Sequence, residues 1–337
     1  ATVALLSSAC LALASAGNLM ERTNVTKSGH PSTSTSSSYS LNKEFSGETF
    51  FDGFNFATYS DPTHGAVDYV DYGTAEGSGL INVTNEGQIY MGADHTTTNA
   101  WDGRQSVRLE SKTTYSEGLF VIDLEHMPTG CATWPAFWLV GPSWPSGGEI
   151  DIIEGVDDTS TVASTLHTND GCSMYGQSTE GFTGTMETFD CNVDAAGQAD
   201  NEGCGIIGPD SSMGVPFNDG KGGVYATELD PEGGHIRVWF WKSGSEPDDV
   251  HGSNPDPTSW GTPYAYFSLG DECPSSHFSD MQIIFDLTFC GDWDEYTYPT
   301  CAAKYGFPSS CTEFVANYPS EFTQAYWTIN SVKVFSK

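Results

Sequence analysis

Basic side chains are scarce in this chain, whose 337 residues hold 12 Lys plus Arg against 45 Asp plus Glu, a formal net charge of −33. Such a charge repels a phosphate backbone and excludes nucleic-acid binding as a function class. Long apolar runs are missing beyond the first sixteen residues, and no later segment approaches the roughly 20 apolar residues of a bilayer span. The C-terminal residues lack the apolar tail of a lipid-anchor signal. Paired C-x-x-C knuckles are absent, which speaks against zinc. No internal repeat and no segment of clean helical period stands out, so an all-helical bundle is excluded.

What remains is rich in short-strand and turn residues. Hydrophobic residues make up 38% and aromatics 13%, enough for a core, and 37 Gly, 17 Pro, 15 Tyr and 9 Trp favour many short strands joined by turns. Residues 1–16 carry no charge and end in Ala14-Ser15-Ala16, which fits a secretory signal peptide. Residues 17–42 form a polar, Ser/Thr-rich stretch with nothing to bury, expected to be a flexible arm. One catalytic domain is expected over 43–337. Of nine cysteines, Cys10 lies in the signal, and the other eight are expected to form disulfides in a secreted, extracellular or cell-wall protein. Asn24-Val25-Thr26 and Asn82-Val83-Thr84 are N-glycosylation sequons.

Alternation is cleanest over 118–124, 235–241, 281–289 and 327–335, which are expected to be strands. The fold class that follows is all-β, an antiparallel β-sandwich of the double-sheet jelly-roll kind.

The chemistry concentrates in Glu149-Ile150-Asp151-Ile152-Ile153-Glu154. On a strand, Glu149 and Asp151 share one face while Ile150 and Ile152 share the other. Glu154, five positions from Glu149, would then point into the core, where an unpaired charge is costly. A β-bulge near Ile152 or Ile153 would return it to the acidic face. Two glutamates about four strand steps apart, roughly 13 Å between Cα atoms, can bring their carboxyls to roughly 5 Å, the separation of retaining glycosidases. A metal site and a merely solvated acidic face are the competing explanations.

Upstream, Trp134 and Trp138 share a face if their segment is extended, and Trp144 follows closely. Core packing is one explanation for them, a carbohydrate-stacking cleft the other. A turn near Asp158 brings His167 level with Glu149 and Asp151, as a site residue or as a structural histidine.

The six-residue acidic segment resembles the bulged E-x-D-x-x-E signature of glycoside hydrolase family 16, in its fungal, secreted, laminarinase-like branch. Trp134-Pro135-Ala136-Phe137-Trp138, Thr165-Leu166-His167-Thr168, the run from Phe285 to Trp293 and the run from Ala325 to Val332 resemble that branch in the same order. The resemblance implies a concanavalin-like jelly roll with a concave cleft. It also implies endo-hydrolysis of β-1,3 and mixed β-1,3/1,4 glucan with retention. By motif position Glu149 is the nucleophile, Glu154 the acid/base and Asp151 their helper. Trp134, Trp138 and Trp144 line the donor side, with His167 nearby and Trp293 as an acceptor-side platform. The expected partner is β-glucan, bound by a monomer that touches neither nucleic acid nor membrane. No cofactor is required, and a structural calcium on the convex face has no assignable ligands. The rivals are a wall transglycosylase of the same fold, usually with E-x-D-x-E spacing, and a lectin-like module without catalysis.

Overall fold

Strand-forming segments appear where apolar and polar residues alternate. The expected strands occur as Gly118–His126, His235–Lys242, Met281–Phe289 and Tyr326–Ser336 in a computed structural model that describes residues 39–337. The signal segment, the sequon at Asn24 and the arm up to residue 38 lie outside the described residues. Among those residues are two eight-stranded antiparallel sheets and a small parallel pair, Val67–Tyr69 with Arg104–Ser106.

The sheet that bears the acidic segment runs in the order Thr185–Met186, Cys204–Ile207, Ala163–His167, Glu149–Glu154, Thr133–Val140, Met281–Phe289, Leu109–Tyr115 and Phe54–Phe56. The acidic strand is central, with a partner on each side. The second, outer sheet runs Ala265–Ser268, His235–Lys242, Gly223–Asp230, Gly118–His126, Tyr326–Ser336, Ile89–Gly92 and Ile81–Val83, and Ser40–Phe45 also pairs with Tyr326–Ser336. Between the sheets lies one apolar core, in which Phe137, Leu139, Ile150, Ile152, Ile153 and Phe285 meet Phe120, Ile122, Leu124, Tyr225, Ile236 and Val332. Burial of this size is the dominant favourable term in folding.

Composition set the arm's end at residue 42, but Tyr39 is buried and Ser40–Phe45 is a strand. The polar residues of this strand gain order from the ladder and from the Tyr39 hydroxyl, which donates to Glu228 at 3.0 Å. A helix, Gly291–Tyr305, follows the strand Met281–Phe289 and had no signal in the sequence. Its turns are tied down by Cys131–Cys301 and, at its start, by Cys290–Cys311. Cys172–Cys273 and Cys191–Cys204 complete four disulfides and use all eight cysteines expected to pair. No helix of the described residues is long and apolar enough to cross a membrane.

Candidate active site

The acidic strand contains the irregularity that parity demanded. Against Thr133–Val140, Asp151 lies opposite Trp138 and Ile153 opposite Phe137, leaving Ile152 with no partner. On the other side the register slips by one between Asp151, opposite Thr165, and Glu154, opposite Ala163. Ile152 and Ile153 are both buried in the core, while Glu149 and Glu154 are half-buried. A bulge removes a ladder bond, and here the freed carbonyl is satisfied by side chains. Ser164 Oγ donates to the Ile152 carbonyl oxygen at 3.0 Å, and the Tyr264 hydroxyl, 2.7 Å from Ser164 Oγ, reaches the same oxygen at 3.3 Å. The three carboxylates thus share one face of the sheet.

Neighbouring strands fill in the surroundings. Trp134 donates its indole N–H to Glu154 Oε1 at 2.8 Å and meets Trp293 edge to face, ring centres 5.7 Å apart. Trp293 sits in the first turn of the helix, and Gly291 lets that turn approach Trp134. A Cβ there would come within 2.7 Å of the Thr63 carbonyl oxygen and 3.3 Å of the Trp134 ring, and its φ is +84°. Trp144 is exposed and lies near Glu149, whose ionised form its indole favours. Gly148, at φ +74°, lets the chain enter the strand at Glu149, since a Cβ would strike the His277 carbonyl oxygen at 2.3 Å. The aromatic residues therefore divide: Trp134 and Trp293 belong to the Glu154 end and Trp144 to the Glu149 end. Of the three tryptophans expected along the donor side, Trp134 thus meets Glu154, Trp138 meets Asp286 and Trp144 lies at Glu149.

His167 stands opposite Glu149 in register, as the turn at Asp158 requires, but is buried. Its Nε2 lies 3.2 Å from Asp151 Oδ2. Two further residues escaped the sequence reading. Asp286 accepts from Trp138 Nε1 at 3.2 Å and from Arg108 at 3.1 Å, and Arg108 also covers the Trp138 ring at 5.0 Å. Parity within 281–289 places Asp286 opposite in facing to the core residues Ile283 and Phe285, and that signal could have found it. Nothing in the sequence joins it to Arg108, 178 positions away.

Burial and crowding raise every carboxyl of this group. Glu149 is pushed up to about 8, first by desolvation and then by Asp151, with His167 and Trp144 opposing. Glu154 is likewise pushed up to about 8 by desolvation and Asp151, with His167 and the Trp134 hydrogen bond opposing. Desolvation and Asp286 hold Asp151 well above the carboxylate range. Asp286 rises to about 7 through burial, although Arg108 pulls the other way. Carboxyls coupled in this way lose their protons in steps that belong to the group, so a form with both charged and neutral members persists over a wide pH range. Such a form offers an anionic nucleophile and a proton donor together.

Candidate metal ligands of the His, Cys, Asp and Glu type group closely at four places among the described residues. Outside this site and the disulfides, Glu228, Asp230 and His235 are the one close grouping of candidate ligands. Arg237 already pairs with Glu228 and Lys337 with Asp230, so the carboxylates have their cations.

Residues 54–335 match the family described as XgeA-like, catalytic GH16 domain. The chain is 42% identical over 90% of its length to an endo-1,3(4)-beta-glucanase of Arthroderma benhamiae, spanning 66% of that longer protein. It is similar to laminarinase 16A of Phanerochaete chrysosporium, solved with two β-glucans in donor and acceptor sites: 40% identity, TM-score 0.82, 89% of this chain and all of that one. It is also similar to an elongating family 16 β-1,3-glucosyltransferase, with 39% identity and a TM-score of 0.80 over 88% of this chain and all of that one. The sandwich is therefore a laminarinase-type jelly roll, and the chain belongs to glycoside hydrolase family 16.

Proposed function

We propose that this chain is a secreted, monomeric, retaining endo-β-1,3-glucanase that also accepts mixed β-1,3/1,4 glucan. The observation that carries this reading is the bulge at Ile152, which gathers Glu149, Asp151 and Glu154 on one face beneath Trp134. Four disulfides support an oxidising, extracellular compartment. The site is built within one chain, and the reaction needs no metal or organic cofactor.

Glu149 attacks the anomeric carbon while Glu154 protonates the leaving oxygen, forming a glycosyl ester on Glu149. Glu154, now a base, draws a proton from water, which displaces Glu149 from the opposite face and restores the β configuration. Asp151 keeps charge close to both glutamates, and His167 fixes Asp151. Trp134 and Trp293 offer ring surface at the Glu154 end, where the leaving part of the glucan departs, and Trp144 at the Glu149 end.

The likeness to the elongating glucosyltransferase supports a second reading, in which a sugar hydroxyl takes the place of water. Product analysis on laminarin separates the two: shorter oligosaccharides are expected, and longer ones would establish the transferase. No change at all would leave a glucan-binding module. Azide tests the two roles directly. Glu149→Ala with azide is expected to give the α-glycosyl azide and Glu154→Ala the β product; the reverse pairing would exchange the roles.

A further inference from the structure

One half of the outer sheet's solvent face is covered by the chain itself. Residues 243–262 lie over Leu119, Val121, Val224, Ala226 and Trp239, closing a small apolar cluster through Val250 and Trp260. On the other half, Tyr90, Tyr326 and His126 form a row of half-buried rings, Tyr90 to Tyr326 at 5.2 Å and Tyr326 to His126 at 3.8 Å and nearly parallel. Tyr326 has a ring on each side. Tyr90 has Tyr326 on one side, and on its other side lies the edge strand Ile81–Val83, where Asn82 pairs directly opposite Tyr90.

Directly opposed residues of an antiparallel pair point to the same face. Ile81, Ile89 and Met91 face the core, so Asn82 and Tyr90 both face solvent. Asn82 is exposed, heads the sequon Asn82-Val83-Thr84 and makes no side-chain hydrogen bond among the described residues. It also lies on the last strand of the sheet, with one neighbour, where bare backbone groups invite pairing with another chain.

We infer that Asn82 is a glycosylation site, and that the first N-acetylglucosamine of its N-linked glycan packs on the free face of Tyr90. This covers the end of the Tyr90, Tyr326 and His126 row and shields the edge. Attachment joins Asn82 Nδ2 to the anomeric carbon of an oligosaccharide, breaks that carbon's bond to a polyprenyl pyrophosphate donor and releases one amide proton. A sugar's C–H face against a tyrosine ring is the same contact by which aromatic residues hold glucan in a cleft. The inference rests on the secretory route of the proposed function, and on no feature of the hydrolytic site.

The full chain, secreted from a eukaryotic host behind that host's own leader, tests both halves. Peptide mapping before and after enzymatic glycan release should find Asn82 occupied, and Asn82→Gln should remove that modification. Hydrogen exchange of the Ile89–Gly92 amides should slow at least threefold in the glycoprotein, stay slow when the glycan is trimmed to one N-acetylglucosamine, and return to the fast rate in Asn82→Gln. In Tyr90→Ala, glycosylated and unglycosylated protein should exchange alike. An unmodified Asn82 in secreted, laminarin-active protein overturns the site and leaves the hydrolase reading standing. An occupied Asn82 with unchanged exchange overturns the packing. Laminarin activity of Asn82→Gln should equal that of the parent, and its failure in both would count against the hydrolase reading alone.

Discussion

The indole of Trp134, like His167, works against burial: desolvation and Asp151 push the Glu154 carboxyl up, while His167 and the Trp134 hydrogen bond favour the ionised form. Trp134→Phe keeps the ring and removes the donor. The acid form of Glu154 should then persist to higher pH, moving the alkaline limb of kcat/KM upward. Loss of a bond to a charged acceptor should lower the rate about tenfold. Asp151→Asn acts in the opposite direction. Asp151 raises both glutamates, so its neutralisation lets Glu154 ionise earlier and shifts the alkaline limb downward, with kcat reduced by about 10²-fold or more as proton transfer suffers. At this scale the sequence revealed Glu149, Asp151 and Glu154 because they are neighbours along the chain. Arg108 and Asp286 meet only through folding, and no local pattern announces such a pair.

Parity was enough to locate the bulge, because a strand has a fixed period of two and the cost of burying a carboxylate is large. The side chains that stabilise it, Ser164 and Tyr264, come from elsewhere in the chain and were not visible. Nor was the helix Gly291–Tyr305, which has no apolar stripe and contains Pro299; it is held by disulfides and by a buried acidic contact. Asp294 is fully buried, its carboxyl is raised by the nearby Asp157, three residues beyond Glu154, and Asp157 accepts the Ala132 N–H at 2.9 Å. Desolvation and Asp157 push Asp294 up to about 9. A carboxyl raised on folding contributes its full stabilisation at acid pH, and this contribution declines as pH rises from the ordinary carboxylate range through about 9. Denaturant unfolding should therefore show the parent losing stability relative to Asp294→Asn between about pH 5 and 9, where the amide does not titrate. A constant difference across that range would show that Asp294 keeps an ordinary carboxyl titration on folding.

The whole molecule was the most readable level, since alternating segments, a wealth of turns and an even set of cysteines point to a disulfide-bonded β-sandwich without reference to any single contact. The disulfide pairing was not readable, because eight cysteines allow many connectivities and spacing does not select among them. Titration of the denatured, unreduced protein should find no thiol among these eight. Replacing Cys131 and Cys301 together by Ala, which opens a link 170 residues apart, should cost about 2–5 kcal/mol. The pairing of Ser40 with Ser336 has a different kind of consequence. Two positions at opposite ends of the described chain stand side by side on the outer sheet, so a short linker between them would close the polypeptide into a ring. The ring could be reopened between Ala196 and Gly197, both exposed and inside the loop that Cys191–Cys204 closes, so that the new ends would remain tethered to each other. The order in which the strands are made would change and the cleft would not. A circular permutant of this design is expected to hydrolyse laminarin at the parent's rate.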